Sequence, residues 1–200
     1  MTVKQFFTSQ AFKCIIVLLI IALVAGGLLA ILNDVLFVTE EERTMRAIEK
    51  VYGKEMQYEE LIYSSNVLEN EFGTINKLYK LENGNYLVQT TGGQGYKGGT
   101  ITVWVVLATE YGDFAGIEKV VLESYEKQTL MSKLTYDVYS AHNDEITGDV
   151  YFTTSGDGIK VLISGATYST NALNNAVDCA LKFAREVLFV PPMTEDKEAA

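Results

Sequence analysis

The pattern of apolar residues is most pronounced near the N-terminus. Residues 14–32 read CIIVLLIIALVAGGLLAIL, a run of nineteen residues without a charged side chain. As an α-helix that rises 1.5 Å per residue, the run spans roughly 28 Å, which matches the hydrocarbon thickness of a bilayer. A buried core helix and a cleaved signal peptide are the alternatives, but the apolar region of a signal peptide covers only about 7–15 residues. The pattern favours a membrane helix that the protein retains.

Charged residues on either side of this run predict its orientation. Lys4 and Lys13 precede the run, whereas the acidic residues Glu40–Glu42 follow it. Because cationic residues accumulate on the cytoplasmic side, we expect residues 1–13 to lie in the cytoplasm and residues 33–200 to lie outside the cell (inner) membrane. The chain would then be a single-pass membrane protein in contact with membrane lipid.

Residues 33–77 are predicted to form a stalk that contains a short amphipathic helix. The apolar residues of this helix follow helical spacing at Met45, Ile48 and Val51. Thr39 can cap its acidic first turn, and Gly53 ends the pattern.

Alternating residues and turn signals predict a mostly antiparallel sheet in residues 78–190. The pair Asn83–Gly84 separates two short apolar segments and is typical of a tight β-hairpin. Residues 100–109 alternate between two faces that are both largely apolar, which predicts a central strand. Residues 116–122 are predicted to add a further strand after an intervening turn.

The last predicted element is an amphipathic helix that follows Thr170 and ends before Pro191. Its apolar stripe repeats at helical spacing and comprises Leu173, Ala176, Val177, Ala180, Leu181, Ala184, Val187 and Leu188. Cys179 and Phe183 lie at the border of the stripe, and we interpret both as packing residues. A helix packed on a mostly antiparallel sheet belongs to the α+β fold class. The remaining residues, 191–200, form a polar tail.

Composition and charge exclude several classes of protein. With 48% hydrophobic residues and two prolines, the chain is not intrinsically disordered. The net charge of −10 and the lack of a basic cluster in the sequence exclude nucleic acid as a partner. Two cysteines and one histidine cannot form a Cys/His zinc site or a Cys-ligated iron–sulfur cluster within one chain. That histidine, His142, lies in a polar turn where we expect it to be exposed.

Candidate chemistry is concentrated where a predicted buried strand, residues 159–163, leads into the C-terminal helix. The connecting segment, Ser164–Thr170, reads SGATYST and contains four Ser or Thr residues. A helix N-terminus presents unpaired N–H groups and the positive end of the helix dipole, which together favour a phosphate. Gly165 and Ala166 permit close approach. The segment therefore predicts a phosphate site, with a hydroxyl-rich helix cap that binds no ligand as the alternative.

The segment SGATYST resembles the S/T-G-A-T-x-S/T signature of the FMN-binding domain family. This family includes the G subunit of the Rnf electron-transport complex and the C subunit of the sodium-translocating NADH:quinone oxidoreductase. The threonine of its GAT triplet carries FMN through a phosphoester bond, so the resemblance implies covalent FMN on Thr167. It also assigns to the cofactor site the rest of the segment, Ser164, Gly165, Ala166, Tyr168, Ser169 and Thr170.

Two other segments extend the resemblance. Gly95–Ile101, in a glycine-rich stretch, is similar to a GY-x-G segment of the family, which adds Tyr96 and Gly98 to the implied cofactor site. Gln128–Thr129 stands in a loop where the family has E-T-P-G-L-G, and the resemblance assigns both residues to the same site. Trp104, together with Tyr96, is a candidate neighbour of the flavin ring.

Two departures from the family pattern keep alternatives open. Val161 stands where the flavin-transferase recognition pattern has an aspartate, and the loop 125–130 has neither the proline nor the glycines. Asp157, close to the motif, is interpreted as a turn former. The resemblance implies an electron-carrying subunit of an ion-translocating oxidoreductase, with integral membrane and redox subunits of the same complex as partners. A stand-alone extracytoplasmic flavoprotein and a non-redox assembly module without flavin are the alternatives.

Overall fold

A computed structural model of the chain describes residues 10–36, 39–143, 150–153 and 161–190. The chain divides into two compact units, Met1–Thr44 and Met45–Ala200. The predicted polar tail, residues 191–200, and Asp157 lie outside the described residues.

The first unit contains the apolar helix that the sequence predicts. Helix α1 covers Gln10–Leu36, and an 18-residue stretch within its segment Phe12–Leu32 has a mean hydropathy of 3.2 and is 0% buried. With 21 residues, this segment is long and apolar enough to cross a membrane. The expectation of an N-terminal helix of membrane-spanning length is confirmed.

Helix α2, Glu40–Tyr52, is the predicted amphipathic helix. The hydroxyl oxygen of Thr39 accepts a hydrogen bond of 3.2 Å from the N–H group of Glu42, so Thr39 caps the first turn as predicted. Gly53 follows the last turn with a φ of +72°. The helix contributes to a small hydrophobic core through Ala47, Ile48 and Val51.

The second unit is built on a six-stranded antiparallel sheet. Its strands are β1 (Tyr58–Glu60), β2 (Glu69–Asn70), β3 (Gly73–Leu81), β4 (Tyr86–Gly92), β5 (Ile101–Glu110) and β6 (Asp113–Tyr125). They lie in the order β1-β3-β4-β5-β6, and β2 also pairs with β3. The predicted hairpin, central strand and following strand are confirmed as β3–β4, β5 and β6.

Three elements of the sheet lie inside residues 33–77, which the sequence assigned to a stalk. They are β1, β2 and the first half of β3. Strands of two or three residues are too short to show alternation, so the sequence pattern does not reveal them.

Strand β5 is buried on both faces, as its pattern predicts. Val103 and Val105 belong to the larger hydrophobic core on one face. Trp104 and Val106 belong to the smaller core on the other face, which includes residues of α2. Two covered faces explain why residues 103–108 of β5 are all apolar.

The larger core is covered by the C-terminal helix. The 3₁₀ turns Tyr96–Gly98 and Met131–Lys133 and the short helix α3, Tyr136–Ser140, precede it. Helix α4, Thr167–Phe183, continues into a π-helical turn, Ala184–Leu188. Every residue of the predicted apolar stripe lies in or against this core, and so do Cys179 and Phe183, which confirms their interpretation as packing residues. The α+β class is confirmed.

A close approach between the backbone of α4 and strand β4 fixes the position of the helix. A Cβ atom at Gly92 would overlap the carbonyl oxygen of Ala172 and the nitrogen of Ala176. The hydroxyl of Thr90 donates a hydrogen bond of 2.7 Å to the carbonyl oxygen of Ala176. The N-terminal half of α4 is therefore seated directly on the sheet.

Three sequence predictions about the fold are wrong. Helix α4 begins at Thr167 and not after Thr170, because Ala166 and not a Ser or Thr residue occupies its N-cap position. The described part of the predicted strand, residues 161–163, forms no strand, and Leu162 is 53% exposed. An apolar run without a neighbouring strand to pair with does not become part of a sheet. His142, expected to be exposed, is 0% exposed, and its ring packs on Phe152 with centroids 4.5 Å apart. Its polar neighbours in the sequence were a poor guide, because distant residues enclose the ring.

Candidate functional site

The candidate site is a cavity of about 300 Å³ at the start of helix α4. Three parts of the chain that are far apart in sequence contribute to its wall: the turn after β4, the turn before α3 and the SGATYST segment. The lining residues are Tyr96, Thr129, Leu130, Gly165, Ala166, Thr167, Tyr168 and Ser169. All of them except Leu130 are residues that the sequence assigned to the cofactor site, so the fold brings the three predicted segments together.

Helix α4 begins directly after Ala166, and no side-chain hydroxyl caps its first turn. Ala166 occupies the N-cap position, and Thr167 is the first helical residue. The hydroxyl of Thr170 donates to the carbonyl oxygen of Ala166 at 3.0 Å, inside the helix. The Ser and Thr residues therefore do not act as the helix cap that was the alternative to a ligand site.

The start of α4 is open to an anion. The N–H group of Thr170 makes the first intrahelical hydrogen bond, to the carbonyl oxygen of Ala166 at 2.9 Å. The three N–H groups before it, those of residues 167–169, have no intrahelical acceptor. The side chain of Thr167 is exposed, so its hydroxyl is accessible from the cavity. These donors and the helix dipole together favour a phosphate group next to that hydroxyl.

Gly165 brings a cation close to this helix start. Gly165 has a φ of +76°, and a Cβ atom there would lie 2.6 Å from Nζ of Lys133. The same ammonium group donates a hydrogen bond of 3.3 Å to the carbonyl oxygen of Ser164. Lys133 is a site residue that the sequence analysis missed, because a single lysine 31 positions before Ser164 carries no local signal.

Gln128 connects two walls of the site. Its Oε1 atom accepts hydrogen bonds from the hydroxyl of Ser169 at 2.8 Å and from the N–H group of Tyr96 at 3.3 Å. Its Nε2 atom donates to the carbonyl oxygen of Glu126 at 3.2 Å. The Gln128 side chain is only 8% exposed, so these contacts are made behind the lining of the cavity.

Two tyrosine rings lie beside the cavity. The ring centroids of Tyr96 and Tyr168 are 6.4 Å apart, with 63° between the ring planes. Tyr96 is 36% exposed and Tyr168 is 62% exposed. A planar aromatic ligand in the cavity would find both rings within its surroundings. Gly98 lies in the same 3₁₀ turn as Tyr96, with a φ of +69°, and does not line the cavity.

Trp104 is not a neighbour of this site. Its indole is 2% exposed in the smaller core, and its ring centroid lies 6.1 Å from that of Tyr79. Its Nε1–H group donates to Glu123 at 3.0 Å. Successive residues of a strand point to opposite faces, so Trp104 lies on the face opposite Val103, which belongs to the larger core under α4. The alternation in the sequence of β5 was sufficient to predict this.

Asn174 holds the segment that leads into the site. Its Nδ2 atom donates a hydrogen bond of 3.0 Å to the carbonyl oxygen of Val161, and its Oδ1 atom lies 2.8 Å from Nε2 of His142. The other ring nitrogen, Nδ1, contacts the carbonyl oxygen of Val138 at 2.9 Å. Burial lowers the pKa of His142, and the contacts to Asn174 and Val138 oppose that shift only in part.

The residues present fit a phosphate ester of a planar cofactor. An exposed threonine hydroxyl, unpaired helix N–H groups, a neighbouring ammonium group and a glycine whose missing Cβ leaves room are all found at one helix start. Among the described residues, no cluster of three or more His, Cys, Asp or Glu side chains is arranged to hold a metal ion. The helix start, the Lys133 ammonium group and the two tyrosine rings together suit an organic anion.

No protein-family model matches the chain, and a search of curated proteins finds no match. The geometry of the site and its resemblance to the FMN-binding signature are thus the two foundations for a functional proposal.

Proposed function

We propose that this protein is a membrane-anchored flavin electron carrier in which FMN is joined to Thr167 through a phosphoester bond. The observation that supports the proposal best is the cavity at the start of α4, because its lining combines Thr167 with Tyr96 and Thr129, which lie far apart in sequence and which the resemblance assigns to one site. The protein would serve as a subunit of an Rnf-type ion-translocating oxidoreductase, with integral membrane and redox subunits as partners.

The residues of the site have separate tasks in this proposal. The Thr167 oxygen would attack the FMN phosphate of a flavin dinucleotide with the help of a flavin transferase. The P–O bond to Thr167 forms as the phosphoanhydride bond to the second nucleotide breaks, the hydroxyl proton is lost, and that nucleotide leaves as its monophosphate. The N–H groups of residues 167–169 and the ammonium group of Lys133 stabilise the phosphate charge. Tyr96 and Tyr168 flank the ring. When bound, FMN supplies the ability to accept one or two electrons, and the protein positions it for a donor and an acceptor.

We further propose that the domain lies outside the cytoplasm. Lys4 and Lys13 before the apolar run 14–32 and the glutamates after it support this orientation. A covalent bond would prevent the loss of FMN from a domain outside the cytoplasm, where free flavin is dilute. A reporter enzyme fused to the C-terminus, active only outside the cytoplasm, tests the orientation in intact cells. If that reporter is inactive and a cytoplasmic reporter at the same position is active, the domain lies in the cytoplasm and the proposed orientation is wrong.

The direct test of the flavin bond uses the full chain expressed with its flavin transferase. We expect a fluorescent band on a denaturing gel and an increase in intact mass equal to FMN minus water. Thr167→Val should abolish both signals. Thr135→Val is the matched control, because Thr135 is also exposed and its hydroxyl makes no cap hydrogen bond at the start of α3.

The outcome distinguishes the three functions considered. A wild-type protein without flavin would reject the electron carrier and leave a non-redox module, a role for which the absence of a carboxylate at Val161 is the main argument. A loaded protein that copurifies with integral membrane subunits supports membership of a complex. A loaded protein that purifies alone from gently solubilised membranes supports a stand-alone carrier.

A further inference from the structure

The amide side chain of Gln128 is enclosed by the glycine-rich turn that carries Tyr96. A Cβ atom at Gly95 would overlap Nε2 of Gln128, and a Cβ atom at Gly99 would lie 2.7 Å from the same nitrogen. The two glycines therefore leave the space that the amide occupies. A larger residue at either position would displace Gln128 from its partners.

The turn itself is closed by its own backbone. The N–H group of Gly95 donates to the carbonyl oxygen of Gly99 at 2.9 Å, and the N–H group of Gly99 donates to the carbonyl oxygen of Tyr96 at 2.9 Å. At the base of the turn, Nδ2 of Asn175 donates to the carbonyl oxygen of Gly93 at 3.0 Å. The turn is thus a compact unit whose base is held by α4.

Gln128 supplies the second link between this turn and α4. Its Oε1 atom accepts from the N–H group of Tyr96 and from the hydroxyl of Ser169, which lies in the first turn of α4. One oxygen atom therefore joins the residue that carries the aromatic ring to the helix start that carries Thr167. Because the amide is buried, no water competes freely for these hydrogen bonds.

We propose that Gln128 is a positioning residue that holds the Tyr96 ring at a fixed place relative to Thr167, and that it does so without contacting the cofactor. This inference rests on the proposed flavin function, and it assigns the relative placement of Tyr96 and Thr167 to one side chain. Gln128 would determine how closely Tyr96 approaches the flavin, and therefore how strongly the ring quenches flavin fluorescence.

The first experiment needs no flavin. Backbone amide hydrogen exchange is measured at Tyr96 in the full chain, solubilised in detergent and produced without flavin transferase. Gln128→Met keeps the length of the side chain and removes the acceptor, so we expect exchange at Tyr96 to become about five- to tenfold faster. Unchanged protection at Val105, in the central strand, serves as the control for an intact fold. An unchanged rate at Tyr96 would overturn the inference.

The second experiment uses the flavin-loaded protein. Tyr96→Leu and Gln128→Met should each raise the flavin fluorescence yield, and the double variant should show no larger yield than Tyr96→Leu alone. If Gln128→Met raises the yield further in the Tyr96→Leu background, Gln128 acts on the flavin directly and the inference is wrong. If the wild-type protein carries no flavin, the proposed function fails, while the exchange rate at Tyr96 still decides the role of Gln128.

Discussion

The ammonium group of Lys133 donates a hydrogen bond of 3.3 Å to the carbonyl oxygen of Ser164, and it thereby lies beside the residue that opens the SGAT segment. The chain carries a net charge of −10, and Lys133 places a positive charge next to the start of α4. It adds to the positive end of the helix dipole at the place where we propose a phosphate. Lys133 is therefore the charged side chain whose removal should affect flavin attachment.

Lys133→Met should lower the rate of flavin loading about two- to fivefold, which corresponds to the modest energy of an exposed ion pair. The loss arises because the phosphate is no longer balanced by the ammonium charge. The measurement is the loaded fraction by intact mass at increasing times of coexpression with the transferase. Lys54→Met changes the net charge equally at a distance from the site and should load normally. Equal loading rates for the two variants would contradict the role of Lys133.

Gly165→Ala should reduce flavin loading by displacing Lys133 and the segment before Thr167. Alanine in the left-handed region costs about 1–2 kcal/mol, and its Cβ atom would also press against the lysine ammonium group. Gly53→Ala is the matched control, because Gly53 has a similar φ of +72° and nothing lies within 4 Å of its Cβ position. We expect thermal unfolding to show a similar cost for both variants, whereas only Gly165→Ala lowers loading. Normal loading of Gly165→Ala would show that Lys133 moves aside freely.

The elements that the sequence predicts well are those whose own residues carry the pattern. Val103 and Trp104 alternate between two apolar faces, so the central strand is visible from β5 alone. The stripe of α4 is visible for the same reason. The predicted strand 159–163 lacks such support in its described part, residues 161–163, because a strand also needs a partner, and apolar content does not provide one.

The parts of the site that the sequence does not predict are held by contacts between distant residues. Lys133 contacts Ser164, and His142 is enclosed by Asn174, a residue of α4 that lies 32 positions later. Neither pair is marked by a motif. The SGAT segment and Tyr96 were assigned to one site on the basis of a resemblance to a family signature, and the fold brings them to one cavity.

Gly92→Ala should destabilise the protein, because the new Cβ atom would overlap the backbone of α4 at Ala172 and Ala176. Overpacking of a rigid contact of this kind costs about 1–3 kcal/mol in the free energy of unfolding. Gly93→Ala is the control, since nothing lies within 4 Å of a Cβ atom placed at Gly93. Denaturant unfolding of the two full-length variants in detergent measures the difference. Equal midpoints would mean that α4 shifts away from β4 without cost.

The contribution of His142 to the stability of the protein should decrease as the pH falls below about 6.5, because burial lowers the pKa of His142 in the folded state. Below that pH, the unfolded chain binds a proton on His142 that the folded chain excludes, so protonation favours unfolding. Above about pH 6.5, the His142 ring is neutral in both the folded and the unfolded state, so its contribution to the free energy of unfolding is constant. The measurement is the difference in unfolding free energy between the wild type and His142→Gln from pH 7.5 to 5.5. Asp178, whose pKa burial raises, is present in both proteins and cancels in this difference. We expect the advantage of the wild type to shrink as the pH falls, and a constant or growing advantage would show that the ring is already charged in the fold.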